Sequence, residues 1–249
     1  MSWRRSIVVV GALLLAAAPR GVDASEFLLP ISANVLPGGY GTYWTATLVV
    51  LNRGTEAVLV TVDRTCAVTG LCPDAVVAYP GQWRATGLEG RGRGNLMRIE
   101  NGTPEFSYRL YVSESTGDRG RVLTELPIVP VASLCSEPLT LFKIDLVPGT
   151  RHALRIYDAS GVDNPVVRVT ATNMFSDAVL FDGEVLLEGR SDLHPAEAKL
   201  FDFLPSPDSV LVTVQPLDPE MRTWAFLSVT DNITNDLVLY TPQTPTRCD

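Results

Sequence analysis

The sequence predicts an all-β chain, two antiparallel β-sandwiches in tandem behind an N-terminal signal peptide. Three observations carry that expectation. Apolar and polar residues alternate in runs of about five to nine, bounded by Gly, Pro, Asn and Asp, as in half-buried strands. Beyond the first two dozen residues no stretch keeps the 3.6-residue apolar period of a helix, although residues 194–199 have room for one helical turn. One stretch also occurs twice: residues 94–118 (GNLMRIENGTPEFSYRLYVSESTGD) are echoed by 209–236 (SVLVTVQPLDPEMRTWAFLSVTDNITND). In each, an alternating run meets a turn, Asn101-Gly102-Thr103-Pro104 or Pro216-Leu217-Asp218-Pro219. A second run follows, and a polar cluster closes it. Both read as hairpins of one design, one small domain apart, hence as a duplication.

The elements follow in chain order. Arg4 and Arg5 precede an apolar stretch, 7–18, and Val22-Asp23-Ala24 offers the small residues of a signal-peptidase site. That stretch is short of the roughly 20 residues of a membrane span. Cleavage after Ala24 is expected, leaving about 225 residues that are secreted, periplasmic or on the cell surface. No later stretch reads as a membrane span.

The first domain is assigned to residues 25–128. Residues 27–31 read as an edge strand, since Pro30 cannot donate to an inner ladder. After the turn at Pro37-Gly38-Gly39-Tyr40-Gly41 comes a β-branched and aromatic strand, 42–51, with 57–62 as its hairpin partner. Strands at 75–79 and 82–88, a glycine-arginine loop at 89–94, the first repeat and a strand at 121–126 complete the domain. Residues 129–138 form a short linker, bracketed by Pro127-Ile128-Val129-Pro130 and Ser136-Glu137-Pro138, and the two prolines Pro127 and Pro130 stiffen the chain there. The second domain, 139–249, offers strands at 139–147, 151–157, 165–172, 178–187, 199–204 (answering 82–88) and 237–240 around the second repeat. Trp44, Trp83 and Trp224 read as core anchors. Trp224 and Phe226 share one strand face while Ala225 and Leu227 share the other, so that strand is central.

Composition narrows the function classes. With 46% hydrophobic residues the chain is a folder. Its formal charge of -8 falls to about -10 once three arginines and one aspartate leave with the signal peptide. An acidic chain without a basic block disfavours nucleic acid and anionic membrane as partners. In an exported chain the four cysteines read as disulfides, Cys66 with Cys72 across a small loop and Cys135 with Cys248 across the second half.

Candidate chemistry is sparse. His152 and His194 are the two histidines of the chain, and neither accompanies a G-x-S-x-G elbow. No carboxylate pair stands in an apolar context. Calcium is the better-motivated metal: Asp231, Asn232, Thr234 and Asp236 crowd one loop, Asp158, Asp163 and Asn164 another, and calcium takes such oxygens. Asp and Asn are equally good turn residues, which is the simpler reading. Gly90-Arg91-Gly92-Arg93-Gly94 could cradle an anion, or form a mobile hairpin tip. Tyr40, Tyr43 and Trp83 are candidates for stacking on sugar rings. Asn101-Gly102-Thr103 and Asn232-Ile233-Thr234 match the glycosylation pattern, and would be ordinary turns if the source is bacterial.

The pattern resembles a family of uncharacterised secreted bacterial proteins with tandem immunoglobulin-like β-sandwiches. The resemblance rests on Pro37-Gly38-Gly39-Tyr40-Gly41-Thr42-Tyr43-Trp44-Thr45, Leu51-Asn52-Arg53-Gly54, Pro80-Gly81-Gln82 and Gly94-Asn95-Leu96-Met97-Arg98-Ile99. In the second half it rests on residues 224–232. It implies a fold and a secreted location, and no activity. The resulting expectation is a non-enzymatic protein of adhesion, surface assembly or scaffolding, without a cofactor. Its partner would be an envelope or extracellular protein or a glycan. A carbohydrate-binding module is the alternative.

Overall fold

The computed structural model describes residues 25–37, 42–62, 75–88, 92–114, 121–205 and 208–242. The signal-peptide segment and Tyr40, Cys66, Cys72, Gly90, Arg91 and Cys248 lie outside them. Among the described residues there is no α-helix. A 3-10 turn, Val131–Ser133, is flanked by strands.

The first half contributes β1 (Ser25–Ser32), β2 (Leu36–Pro37), β3 (Thr42–Leu51), β4 (Val58–Thr61) and β5 (Ala75–Ala78). It continues with β6 (Trp83–Gly87), β7 (Arg93–Ile99), β8 (Glu105–Glu114), β9 (Arg121–Glu125) and the connecting β10 (Val129–Pro130). The second contributes β11 (Leu139–Leu146), β12 (Thr150–Asp158), β13 (Val166–Asn173) and β14 (Val179–Leu186). It ends with β15 (Ala196–Phe201), β16 (Asp208–Pro216), β17 (Thr223–Asp231) and β18 (Leu237–Tyr240).

Pairing is antiparallel, in four sheets. In the first half β1-β7-β4-β5, extended by β10, faces a second sheet in which β3 lies between β6 and β8, with β9 beyond. The second half has β11-β16-β13-β14 facing β15-β12-β17-β18. The two orders superpose strand for strand: β1 on β11, β3 on β12, β4 on β13, β5 on β14, β6 on β15, β7 on β16, β8 on β17 and β9 on β18. The duplication read from two stretches thus runs through the whole topology. The constant-type immunoglobulin arrangement keeps its first two strands in one sheet. Here β1 and β3, like β11 and β12, lie in opposite sheets.

Several local expectations are corrected. The repeated stretches are not hairpins, because β7 and β8 belong to different sheets, as do β16 and β17. Their turns carry the chain across the sandwich: Asn101 accepts from the Leu59 amide (2.8 Å) and donates to the Ala57 carbonyl (2.5 Å) of the neighbouring loop and strand. For the same reason β4 pairs with β5 and β7 and not with β3. β1 is not an edge strand, since β10 adds to it at Phe27 and Leu28. Pro30 is tolerated because it sits in a bulge between Leu29 and Ser32, where no ladder bond is owed. Residues 196–201 form a strand, not a helical turn. Trp83 is 65% exposed on edge strand β6 and anchors no core, Trp44 is half-buried against the first core, and Trp224 is buried.

Each sandwich has its own core. Leu48, Val50, Val60, Met97, Tyr108 and Leu110 fill the first; Leu141, Ile144, Leu154, Val169, Val212 and Leu227 fill the second. The first core, however, also takes in Tyr157, Trp224 and Phe226 from the second half. On β12 and β17 the residues Leu154, Ile156, Ala225 and Leu227 point into their own sandwich. Alternation turns Tyr157, Trp224 and Phe226 outward. They meet the outward side of β1 and β7, where Leu28 and Leu96 are buried. The layers therefore run β3 sheet, β1 sheet, β12 sheet, β11 sheet.

Candidate functional site

The contact between the halves is the most elaborated part of the molecule. Its apolar centre is a ring cluster: Tyr157 lies 6.2 Å from Trp224 and 6.4 Å from Phe226, centroid to centroid, and those two are 5.5 Å apart. Buried rings of this kind remove about 150–250 Å² each from water, so the cluster is the main apolar contribution to the contact.

The bulge in β1 explains two tyrosines. It frees consecutive carbonyls, Pro30 and Ile31, from ladder pairing. The buried hydroxyl of Tyr157 donates to Pro30 from the second half, and that of Tyr108 donates to Ile31 from within the first. Burial pushes both phenols well above the ordinary tyrosine range, so both remain donors.

Around the cluster runs a polar clasp. Glu197 on β15, its side chain 10% exposed, accepts from Arg93 Nε (3.2 Å), Lys199 Nζ (3.3 Å) and the Gly94 amide (2.9 Å). Arg155 donates to the Gly92 carbonyl at 2.5 Å. Burial, with Arg155 nearby, holds the Lys199 ammonium below its usual range. β7 leaves part of its edge open because β4 reaches it only at Arg98 and Ile99. The second half fills that gap: the Leu96 amide donates to the Leu193 carbonyl (2.7 Å), and His194 Nδ1 meets the Gly94 carbonyl (2.8 Å). Gly94 must be glycine, since a Cβ there would stand 2.7 Å from the Tyr157 ring and 2.9 Å from Pro195. Gly92 to Gly94 is thus a clasp between the halves and not a mobile tip.

Two openings flank the seam. One is a cleft of about 290 Å³, walled by Ile31, Leu36, Pro37 and Trp44 on one side and by Ala153, Arg155, Phe201 and Leu237 on the other. His152, Asp202, Ser228 and Thr230 supply polar atoms to it. The other is a polar groove of about 870 Å³ with Glu26, Arg98, Asp158, Arg190, Glu220 and Arg222 among its walls. Arg98 pairs with Glu26 at 2.9 Å.

The groups that could do chemistry here are committed to the fold. His152 is buried, and its Nε2 accepts from the Leu204 amide at 3.0 Å, which leaves the proton on Nδ1, 3.5 Å from Asp202. Burial lowers its pKa, and the Asp202 carboxylate opposes that shift. An Nε2 engaged in this way is no general base. Asp158 is fully buried and accepts from the Arg222 amide (2.8 Å) and the Ser160 hydroxyl (2.6 Å).

The loop proposed for calcium is a turn closed on itself. Asp231 Oδ1 accepts from the Ile233 and Thr234 amides, both at 2.7 Å, and these bonds lower its pKa. The Arg151 guanidinium holds the side-chain oxygens of Asn232 (2.8 Å) and Asn235 (3.2 Å), placing a cation where calcium would go. Asp236 uses its amide on Thr234 (3.2 Å). Among the described residues no group of three or more His, Cys, Asp or Glu is arranged to hold a metal.

The sugar-stacking candidates do not converge. Tyr43 and Trp83 lie toward opposite ends of β3: Trp83 pairs with Leu51, eight residues from Tyr43, about 26 Å along a strand. Trp44, on the other face from Tyr43, reaches the cleft, whose second aromatic wall is Phe201. Cys135 is not a free thiol. The other three cysteines, Cys66, Cys72 and Cys248, lie outside the described residues. No helix among the described residues is long and apolar enough to cross a membrane.

Sequence reasoning missed the seam roles of Tyr157 and Glu197, and read Arg93 and Gly94 as part of an anion cradle or a mobile tip. A usable signal was present in β17, where Trp224 and Phe226 on one face and Ala225 and Leu227 on the other are apolar: a strand of that kind is covered on both sides.

No protein-family model matches the chain, and no curated protein does. Among solved structures an anti-sigma factor domain-containing protein is similar at 12% identity, over 89% of this chain and 83% of its own. The TM-score is 0.23, and a likeness at that level carries no argument.

Proposed function

We propose that this is an exported, non-enzymatic protein of adhesion, surface assembly or scaffolding, presenting sheet faces, strand edges and loops to an envelope or extracellular partner. The observation that carries the reading is the seam. Tyr157, Trp224, Phe226 and the Arg93–Glu197 clasp hold two sandwiches as one stiff body, while the outer faces of the β3 and β11 sheets stay open. A body of that kind fixes the spacing of whatever it joins. Export rests on the Arg4, Arg5 and 7–18 segment with cleavage after Ala24, and the pairs Cys66–Cys72 and Cys135–Cys248 belong to that oxidising setting. The test is photo-crosslinking from positions on the β3 and β11 faces in intact cells. Crosslinks to envelope components from these faces, and none from buried Leu154, support the reading. A chain that never leaves the cytoplasm, or that crosslinks to nothing, overturns it.

Carbohydrate binding is the second reading, favoured by the aromatic walls of the cleft, Trp44 and Phe201, beside Arg155, Asp202 and Ser228. Glycan-array binding by the disulfide-intact mature chain, abolished in Phe201→Ala but kept in Trp83→Ala, would put this reading first.

A further inference from the structure

We infer that the cleft beside the seam is a binding site for a small amphipathic carboxylate, an organic acid with an unbranched apolar body. The inference stands apart from the assembly reading, which concerns the outer faces, and it gives the cleft a ligand other than a sugar. Strand register places the walls. On the face of the β12 sheet that meets the first half, Tyr157 aligns with Trp224 and Glu197, and Arg155 with Phe226 and Lys199. The ring cluster and the clasp fill these two rungs. The next two hold Ala153 with Phe201 and Ser228, then Arg151 with Thr230 and Leu237. Over them stand Ile31, Leu36, Pro37 and Trp44 of the first half, leaving a space of about 290 Å³. That is the small end of ligand pockets, which run from about 300 to 1,000 Å³.

Charge selects the head group. Arg93, Arg155 and Lys199 gather at the clasp end of the cleft around Glu197, whose oxygens already serve Arg93, Lys199 and the Gly94 amide. Arg155 lines the cleft and donates to a neutral partner, the Gly92 carbonyl, at 2.5 Å. A guanidinium carries five N–H donors in a planar fork, so that bond leaves others for a carboxylate. The opposing charge in the cleft, Asp202, sits at the far end. Its carboxylate accepts from the His152 amide at 2.8 Å, three residues along β12 from Arg155, about 10 Å. An acid with its carboxylate on Arg155 lays its apolar body between Ala153, Phe201, Leu36 and Trp44. The body covers Phe201, which stands 64% exposed. A neutral sugar leaves the positive end unanswered, and an amphipathic cation is repelled by it.

The experiment is isothermal titration calorimetry of the mature chain with hexanoate, octanoate and the octylammonium ion. The expected result is one octanoate per chain, held about 15-fold more tightly than hexanoate, since two methylenes contribute about fourfold each. Octylammonium should show no binding. Phe201→Ala, a change at an exposed position outside the clasp, should weaken octanoate about tenfold. Arg155→Gln should weaken it by at least about tenfold, the scale of a charge-assisted hydrogen bond. Circular dichroism checks the fold of both variants, because Arg155 also serves the clasp; if Arg155→Gln does not fold, Phe201→Ala and octylammonium decide. Absence of octanoate binding overturns the inference and leaves the assembly reading to the crosslinking test. Octylammonium bound as tightly as octanoate, or Phe201→Ala binding octanoate like the parent chain, also overturns it.

Discussion

The two halves share a strand order and differ in what lies outside it. β8 and β17 occupy the same place in their sandwiches. Facing outward, β8 carries Ser107, Arg109 and Tyr111 toward solvent, whereas β17 carries Trp224 and Phe226 into the other half. Facing inward, Tyr108, Leu110 and Val112 on β8 and Ala225, Leu227 and Val229 on β17 are all buried. One topology thus tolerates two kinds of outer face, and the neighbour, not the fold, decides which kind is stable.

The comparison is broken most directly at Trp224. Trp224→Ala should cost about 3–5 kcal/mol, the range for buried aromatic truncation, while Tyr111→Ala on the equivalent strand should cost well under that. Denaturant unfolding of the two variants measures the difference. Gly94→Ala should cost about 1–3 kcal/mol or more, because the added methyl meets the Tyr157 ring and Pro195. Gly87→Ala, with nothing within 4 Å of its Cβ, should change stability by less than about 0.5 kcal/mol. Tyr157→Phe removes the donor to the Pro30 carbonyl and should cost about 1–3 kcal/mol. Tyr108→Phe should cost a similar amount, although that bond lies within one half.

The smallest effect is a pH dependence. His152 has a lowered pKa in the folded protein, so the unfolded chain takes up the proton first as pH falls. Its contribution to stability is full above about pH 6.5 and is lost as pH drops from there toward the folded value. His152→Gln, which keeps an acceptor for the Leu204 amide, should flatten that part of the stability profile. An unchanged profile would move the source of any acid sensitivity elsewhere.

Strand positions were legible in the sequence because they are local. Alternation and turn residues located β11, β13 and β18 to within a residue or two. The match of 82–88 with 199–204 pointed to β6 and β15 as equivalents. Pairing was not legible. A period of two says that one face of a strand is buried, and says nothing about which strand lies beside it, so β3 was given β4 as partner when the sheets cross between them. The seam was hidden for a related reason. Arg93 and Glu197 are 104 residues apart and look like surface charges one at a time, and Gly94 looks like part of a flexible loop until Tyr157 is set against it. The cysteine and signal-peptide assignments fall on residues outside the described ones, Cys135 excepted.

The central claim is that the halves are joined through one apolar cluster and behave as one body. Hydrogen exchange with mass-spectrometric readout, comparing the parent chain with Trp224→Ala, tests it most directly. The account predicts that protection falls in β1 and β7 of the first half together with β12 and β17 of the second. Loss confined to the second half, with β1 and β7 exchanging as before, would contradict it.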